Sequence, residues 1–205
     1  MIERGFNETM IATPSGAFDY LAPDFSAWTI YDVANRLSRV IRYAGQWGSY
    51  NVLRHSLHVA EIVVDLGGTP MEVLGGLMHD AHEAVTGDVP TPLKRAMRHL
   101  CVGLYAKGAR GMGSPYDQIE HWCQSEMLKA FAVDEPTVHS DIVKRADRLA
   151  YAWEIDFLIG TGTAEERGIA SWGTRPRHFE STDYGARLAF AMWFLDLHET
   201  IDEKS

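Results

Sequence analysis

Apolar residues recur every three or four positions through most of this chain, the spacing that turns one face of an α-helix toward a core. Ile30, Val33, Ala34, Leu37, Val40 and Ile41 mark a first helix, starting near Thr29 or Tyr31 and ending around 42–45. Leu57, Val59, Ala60, Ile62, Val63 and Leu66 mark a second, from about Val52 until Gly67-Gly68 stops it. A third has Thr69 as N-cap and Pro70 in its first turn, carries Val73, Leu74, Leu77, Met78 and Ala81, and runs to Thr86-Gly87. Two prolines make 88–94 a stiff extended segment. Further helices are expected over 95–112, 117–131, 139–160 and 181–199, with 161–178 as a long loop. Ahead of them, 9–13 and 17–21 flank Pro14-Ser15-Gly16, which reads as a short β-hairpin that must pack on the helical body. The fold class is all-α with a minor N-terminal hairpin. One domain is expected over 1–205: 1–27 as the hairpin extension, 28–160 as the helical core, and 161–205 as a loop and final helix.

Composition narrows the function classes. With 205 residues, the chain is long enough for a full core without staples. Hydrophobic content of 46% and charged content of 23% fit a globular protein. A net charge of −9 argues against a stable nucleic-acid partner or an anionic membrane. An anionic substrate would need a local cluster of positive charge. Cys101 and Cys123 lie in helical stretches and read as buried free thiols in a reducing compartment. The absence of a membrane-length apolar run or leader makes a cytoplasmic location the default expectation.

The chemistry concentrates in Leu77-Met78-His79-Asp80-Ala81-His82-Glu83, where candidate ligands and proton carriers crowd an apolar helical run. Neighbouring helix positions point about 100° apart, so His79 and Asp80 share an ion only if it sits close to the helix between them. Glu83 follows His79 by one turn on the same face. A lone His-Asp pair is as often an exposed accident. Two other helices add candidates: Arg54-His55-Ser56-Leu57-His58, and Asp147 within Lys144-Arg145-Ala146-Asp147. Asp147 sits among Val143, Ala146 and Ala150, which implies burial and a partner, either an ion or Arg145 or Arg148.

The order of these residues resembles the HD-domain superfamily of metal-dependent phosphohydrolases, and more closely its bacterial and phage 5′-deoxynucleotidase branch. The matching strings are Arg42-Tyr43, Arg54-His55-Ser56-Leu57, His79-Asp80-Ala81-His82-Glu83, Gly87-Asp88-Val89-Pro90-Thr91-Pro92-Leu93-Lys94, and Lys144-Arg145-Ala146-Asp147. The His-Asp helix followed by the Gly-Asp and Pro-Thr-Pro string is the specific part. The hairpin also resembles one that precedes the domain in several relatives.

What the resemblance implies is an HD-domain helical bundle over 28–160 and one divalent ion held by His55, His79, Asp80 and Asp147. His58 lies about 300° further round the helix and is the reserve ligand; His82 is a possible assistant. Two imidazoles and two carboxylates suit Co²⁺, Mn²⁺, Zn²⁺, Fe²⁺ or Ni²⁺ better than Mg²⁺ or Ca²⁺. Glu83 is the expected base toward a water, and Asp88 either protonates the leaving oxygen or holds the ribose hydroxyl. Arg42, Lys94 and Lys144 supply the positive charge for phosphate, and Tyr43 and Pro92 line the substrate pocket, with Trp47 and Tyr50 equally able to serve the core. The implied activity is dephosphorylation of a deoxynucleoside 5′-monophosphate. The alternatives are release of triphosphate from a deoxynucleoside triphosphate such as dATP, in the manner of compact phage enzymes, or nucleotide sensing without hydrolysis. Relatives are commonly homo-oligomers.

Overall fold

The computed structural model describes residues 8–104, 113–160, 175–179 and 181–203. The hairpin forms from β1 (Met10–Thr13) and β2 (Gly16–Asp19), antiparallel with Thr13 opposite Gly16 across the Pro14-Ser15 turn. Gly16 closes that turn at φ +116°, a region that side chains rarely adopt. Alternation along β2 turns Phe18 inward, where its ring lies 5.0 Å from Phe25 and 6.2 Å from Trp28. The Tyr20 hydroxyl donates to the Val85 carbonyl at 2.7 Å, which ties the hairpin to the site-bearing helices.

Nine helices follow among the described residues: α1 (Ile30–Leu37), α2 (Val52–Asp65), α3 (Pro70–Met78), α4 (Glu83–Thr86), α5 (Thr91–Leu104), α6 (Pro115–Ala130), α7 (Glu135–Val138), α8 (Asp141–Ile159) and α9 (Asp183–Asp202). The described residues are mostly helical, with the short hairpin as their one sheet. Helix α2 is central, buried along almost its whole length and packed against α3 and α8. Thr69 caps α3 through a reciprocal bond with Glu72, and Pro70 follows it, as the sequence predicts. Cys101 and Cys123 are free thiols. No described helix is long and apolar enough to cross a membrane.

Three boundaries differ from the sequence expectation. Helix α1 stops at Leu37; Ile41 instead bridges Asn51, and residues 42–45 form a tight 3-10 turn. The expected third helix is broken: α3 ends at Met78, and His79 to His82 pass through turns before α4. The proline segment becomes helical from Thr91, with Pro92 in the first turn, where its missing N–H costs nothing. The last part of the expected 95–112 helix and most of the 161–178 loop lie outside the described residues.

Helix α3 threads a narrow gap between α2 and α7 because Gly75 and Gly76 have no side chains. A methyl at Gly76 would sit 3.1 Å from Val63 Cγ2, and one at Gly75 would meet Thr137 Cγ2 at 2.9 Å and its carbonyl oxygen at 3.0 Å. Overpacking costs about 1–3 kcal/mol and the helix-propensity gain of alanine returns about 1. Gly75→Ala is therefore expected to lower the urea midpoint, by a net loss of up to about 2 kcal/mol. An unchanged midpoint would mean that α7 moves aside at no cost.

Candidate functional site

Three helices bring four ligand-type side chains to one place. His55 comes from the second turn of α2, His79 caps the C-terminus of α3, Asp80 follows it in the break, and Asp147 projects from α8. His55 Nε2 lies 3.2 Å from His79 Nε2, 3.2 Å from Asp147 Oδ1 and 3.6 Å from Asp80 Oδ2. His79 Nε2 lies 3.2 Å from Asp80 Oδ2 and 3.9 Å from Asp147 Oδ1. The ligand atoms of His55, His79 and Asp80 all fall within 4.8 Å of one another, a grouping able to hold a metal ion. Asp147 does not belong to that tighter group. Its side chain is 44% exposed, which corrects the expectation that it is buried.

The other nitrogen of each imidazole is already committed. His55 Nδ1 meets Glu154 Oε1 at 2.6 Å, and His79 Nδ1 meets the Gly76 carbonyl at 2.8 Å. A carboxylate and a carbonyl can only accept, so both rings carry the proton on Nδ1. Both Nε2 atoms are then the free coordination points, turned toward each other and toward two carboxylates. That arrangement fits a divalent cation, with the partner on each Nδ1 fixing the ring's tautomer and direction.

Beside this cluster the backbone between α3 and α4 leaves the α-helical pattern. Over 80–86 the backbone bonds run mostly from residue i to i−3, as in Glu83 N–H to the Asp80 carbonyl at 3.0 Å. Gln124 of α6, buried, holds the break: its amide nitrogen donates to the Met78 and His79 carbonyls at 3.1 and 2.9 Å. Its oxygen accepts from the His82 backbone N–H at 3.1 Å and stands 2.9 Å from His82 Nδ1. Carbonyls left open at the end of α3 are thus satisfied. The His82 ring is committed here and beside Glu120, 3.6 Å from Nε2. His58, the reserve ligand, is buried and packs edge-on against Trp153.

Glu154 is the residue that the sequence reading missed. It is fully buried on α8, with Oε1 on His55 and Oε2 accepting from Arg42 Nε at 3.0 Å and from the Tyr43 hydroxyl. Burial alone would raise its carboxyl; the Arg42 guanidinium and the His55 imidazole outweigh burial and hold it down at about 2. Burial and Arg42 push His55 down, but Glu154 and Asp147 overcome both and lift it to about 9. Asp80 is held well below the usual range by His79 and His55 against its burial.

The remaining expected site residues divide. Glu83 is buried; burial first, then the Asp80 and Asp88 charges, raise its carboxyl well above the ordinary value, and its Oε2 has no hydrogen-bond partner. Asp88 Oδ2 accepts the Tyr43 backbone N–H at 3.1 Å. Tyr43 and Ala44 stand at φ 59° and 52°, a left-handed geometry that costs non-glycine residues on the order of 1–3 kcal/mol each. A cleft of about 340 Å³ opens beside the ligand cluster and includes His79, Asp80, Lys94, Lys144 and Asp147 in its walls. Arg42 and Lys94, two of the cations expected for phosphate, are each matched by a carboxylate. Arg42 is paired with Glu154 and lies 3.8 Å from Asp80, and Lys94 bonds Glu120 at 2.7 Å. Lys144 is exposed at the cleft. Pro92 is exposed outside those walls, Trp47 is exposed, and Tyr50 is buried against Phe179.

The Glu154–His55 pair predicts how the metal-free protein responds to pH. Glu154 is lowered from 4.5 to about 2, so its stabilisation is present above pH 4.5 and lost as pH falls through about 2. His55 is raised from 6.5 to about 9, so its stabilisation is present below pH 6.5 and lost as pH rises through about 9. Thermal unfolding in chelator should show this pair contributing fully between about pH 4.5 and 6.5 and falling away on both sides. A Glu154→Gln variant should lose most of the acid-side dependence. A variant profile parallel to wild type would mean that the pair does not carry it.

No family model matches the chain. Over 70 residues it is 39% identical to a protein of Escherichia coli (strain K12) described as the uncharacterized protein YfdR. The match covers 33% of this chain and 36% of that relative, so the chain matches only about a third of the relative's length.

Proposed function

We propose that this chain is an HD-type, metal-dependent phosphohydrolase that removes phosphate from a deoxynucleoside 5′-monophosphate. The observation that carries the reading is the meeting of His55 and His79 through their Nε2 atoms, 3.2 Å apart, with Asp80 and Asp147 beside them. Two nitrogens and two carboxylates fit Mn²⁺, Co²⁺, Fe²⁺, Ni²⁺ or Zn²⁺. When bound, such an ion acts as a Lewis acid toward a phosphoryl oxygen and acidifies a ligated water.

The chain's own groups supply the rest. Glu83 accepts the water's proton at Oε2, the oxygen that has no protein partner. Asp88 stands at the exit of α4 against the Tyr43 backbone, placed to protonate the leaving oxygen or to hold the sugar hydroxyl. Lys144 offers its charge to phosphate oxygens across the cleft. Arg42 and Lys94 are each already matched by a carboxylate, which favours a substrate with one phosphate over one with three.

Asp80→Ala and His79→Ala are each expected to abolish metal binding and activity, read by elemental analysis and phosphate release with Mn²⁺ or Co²⁺. Stoichiometric metal in both variants would sink the ligand assignment. Glu83→Gln should keep the metal while kcat falls by about 10²–10⁴; a variant that loses the metal would make Glu83 a ligand instead.

Substrate size is tested by running mono- and triphosphates in parallel with chromatography of the products. Release of inorganic phosphate from the monophosphate is expected, with Lys144→Ala lowering kcat/KM about 10-fold or more and Lys94→Ala much less. Intact triphosphate as product, with both lysines important, would select the phage-type reading. Binding without any product would select a sensor.

A further inference from the structure

We propose that Glu154 is a positioning residue that couples the metal centre to the strained Arg42–Tyr43 turn, so that ordering one half orders the other. The inference rests on reading His55 as a metal ligand. Its ground is the division of labour between the two oxygens of one buried carboxylate. Oε1 takes the His55 Nδ1 proton at 2.6 Å and so sets which nitrogen faces the ion. Oε2 takes Arg42 Nε at 3.0 Å and the Tyr43 hydroxyl. No rotation of Glu154 can leave one set of partners without disturbing the other.

The turn needs this hold. Residues 43 and 44 both occupy the left-handed region without being glycine. Four hydrogen bonds hold the turn, beside the contact of the Tyr43 ring with Tyr151: the Tyr43 hydroxyl on Glu154, the Tyr43 N–H on Asp88 at 3.1 Å, the Arg42 N–H on the Tyr50 carbonyl at 2.9 Å, and the Gln46 N–H on the Tyr43 carbonyl at 3.1 Å. Only the first reaches the residue that also holds a ligand histidine. Arg42 closes a second path, because its guanidinium spans Glu154 and Asp80. A change at the ligand cluster therefore reaches the turn through two side chains. The turn reaches the cluster through the same two.

The test needs no substrate. Mn²⁺ affinity is measured by calorimetry, and amide hydrogen exchange over residues 42–46 is measured with and without saturating Mn²⁺. Wild type, Glu154→Gln and Tyr43→Phe are compared. In wild type, Mn²⁺ should slow exchange over 42–46. In Glu154→Gln, which keeps an acceptor but loses the charge, Mn²⁺ should bind about 10–100-fold more weakly. The slowing should vanish even at saturation.

Tyr43→Phe removes only the turn's arm. Its Mn²⁺ affinity should stay within about threefold of wild type while the slowing over 42–46 falls well below that of wild type, Arg42 keeping the second path. A merely structural Glu154 would weaken binding without uncoupling the turn, so saturated Glu154→Gln that still slows exchange overturns the proposal. So does a Tyr43→Phe variant that still shows the wild-type slowing, and so does equal Mn²⁺ affinity for wild type and Glu154→Gln. Wild type that binds no Mn²⁺, Co²⁺ or Zn²⁺ would overturn the phosphohydrolase reading itself. Metal binding without phosphatase activity would leave the coupling standing.

Discussion

Two imidazoles facing each other through their Nε2 atoms are the constraint on which the rest of this site depends. Left alone, such a pair has no reason to approach. Here each ring is fixed from behind: His55 by a buried carboxylate and His79 by the backbone of its own helix. Each acceptor forces the proton to Nδ1, and that commits both Nε2 atoms to the same small volume. His55 Nε2 lies 3.2 Å from Asp147 and His79 Nε2 lies 3.2 Å from Asp80, so a cation bound there would replace any protons that these pairs share.

The architecture around the pair keeps that geometry rigid. Helix α2 is buried along its length, so His55 cannot swing out without disturbing the core. His79 sits where α3 ends, and a capping position lets its ring turn back to a carbonyl three residues earlier. Gln124 then takes the carbonyls that the ended helix leaves open and the N–H that follows them. A straight helix would point Asp80 about 100° away from His79. The 3-10-type break does not lessen that divergence, so His79 Nε2 and Asp80 Oδ2, 3.2 Å apart, meet close to the backbone that Gln124 clamps.

The helices were legible from sequence because their apolar faces recur cleanly, and the hairpin because its Pro-Ser-Gly turn separates two short strands. The break was not legible. Ala81, Ala84 and Val85 continue the three-and-four apolar spacing straight through it, and a 3-10 turn brings positions i and i+3 to one face much as an α-helix does. Gln124 had no sequence signal, since an amide on a half-exposed helix looks like a surface residue. Glu154 did leave a trace: it lies seven residues after Asp147, two helical turns on the same face, between Trp153 and Ile155. A carboxylate in that setting must have a partner. The pairing of Arg42 and Lys94 with Glu154 and Glu120 was out of reach, because each pair joins distant segments.

Charge in this site is arranged so that one event can change several groups. Asp80 and Asp88 both push the buried Glu83 toward its neutral form, after burial itself. Cancelling the Asp80 charge would remove one of these two pressures, while burial, the larger one, would remain. Arg42 and Lys94 push in the same direction as a cation would, yet each is already held by another carboxylate. Their pull on Glu83 is outweighed by burial and the two carboxylates, and a cation held by His55, His79 and Asp80 would add to it.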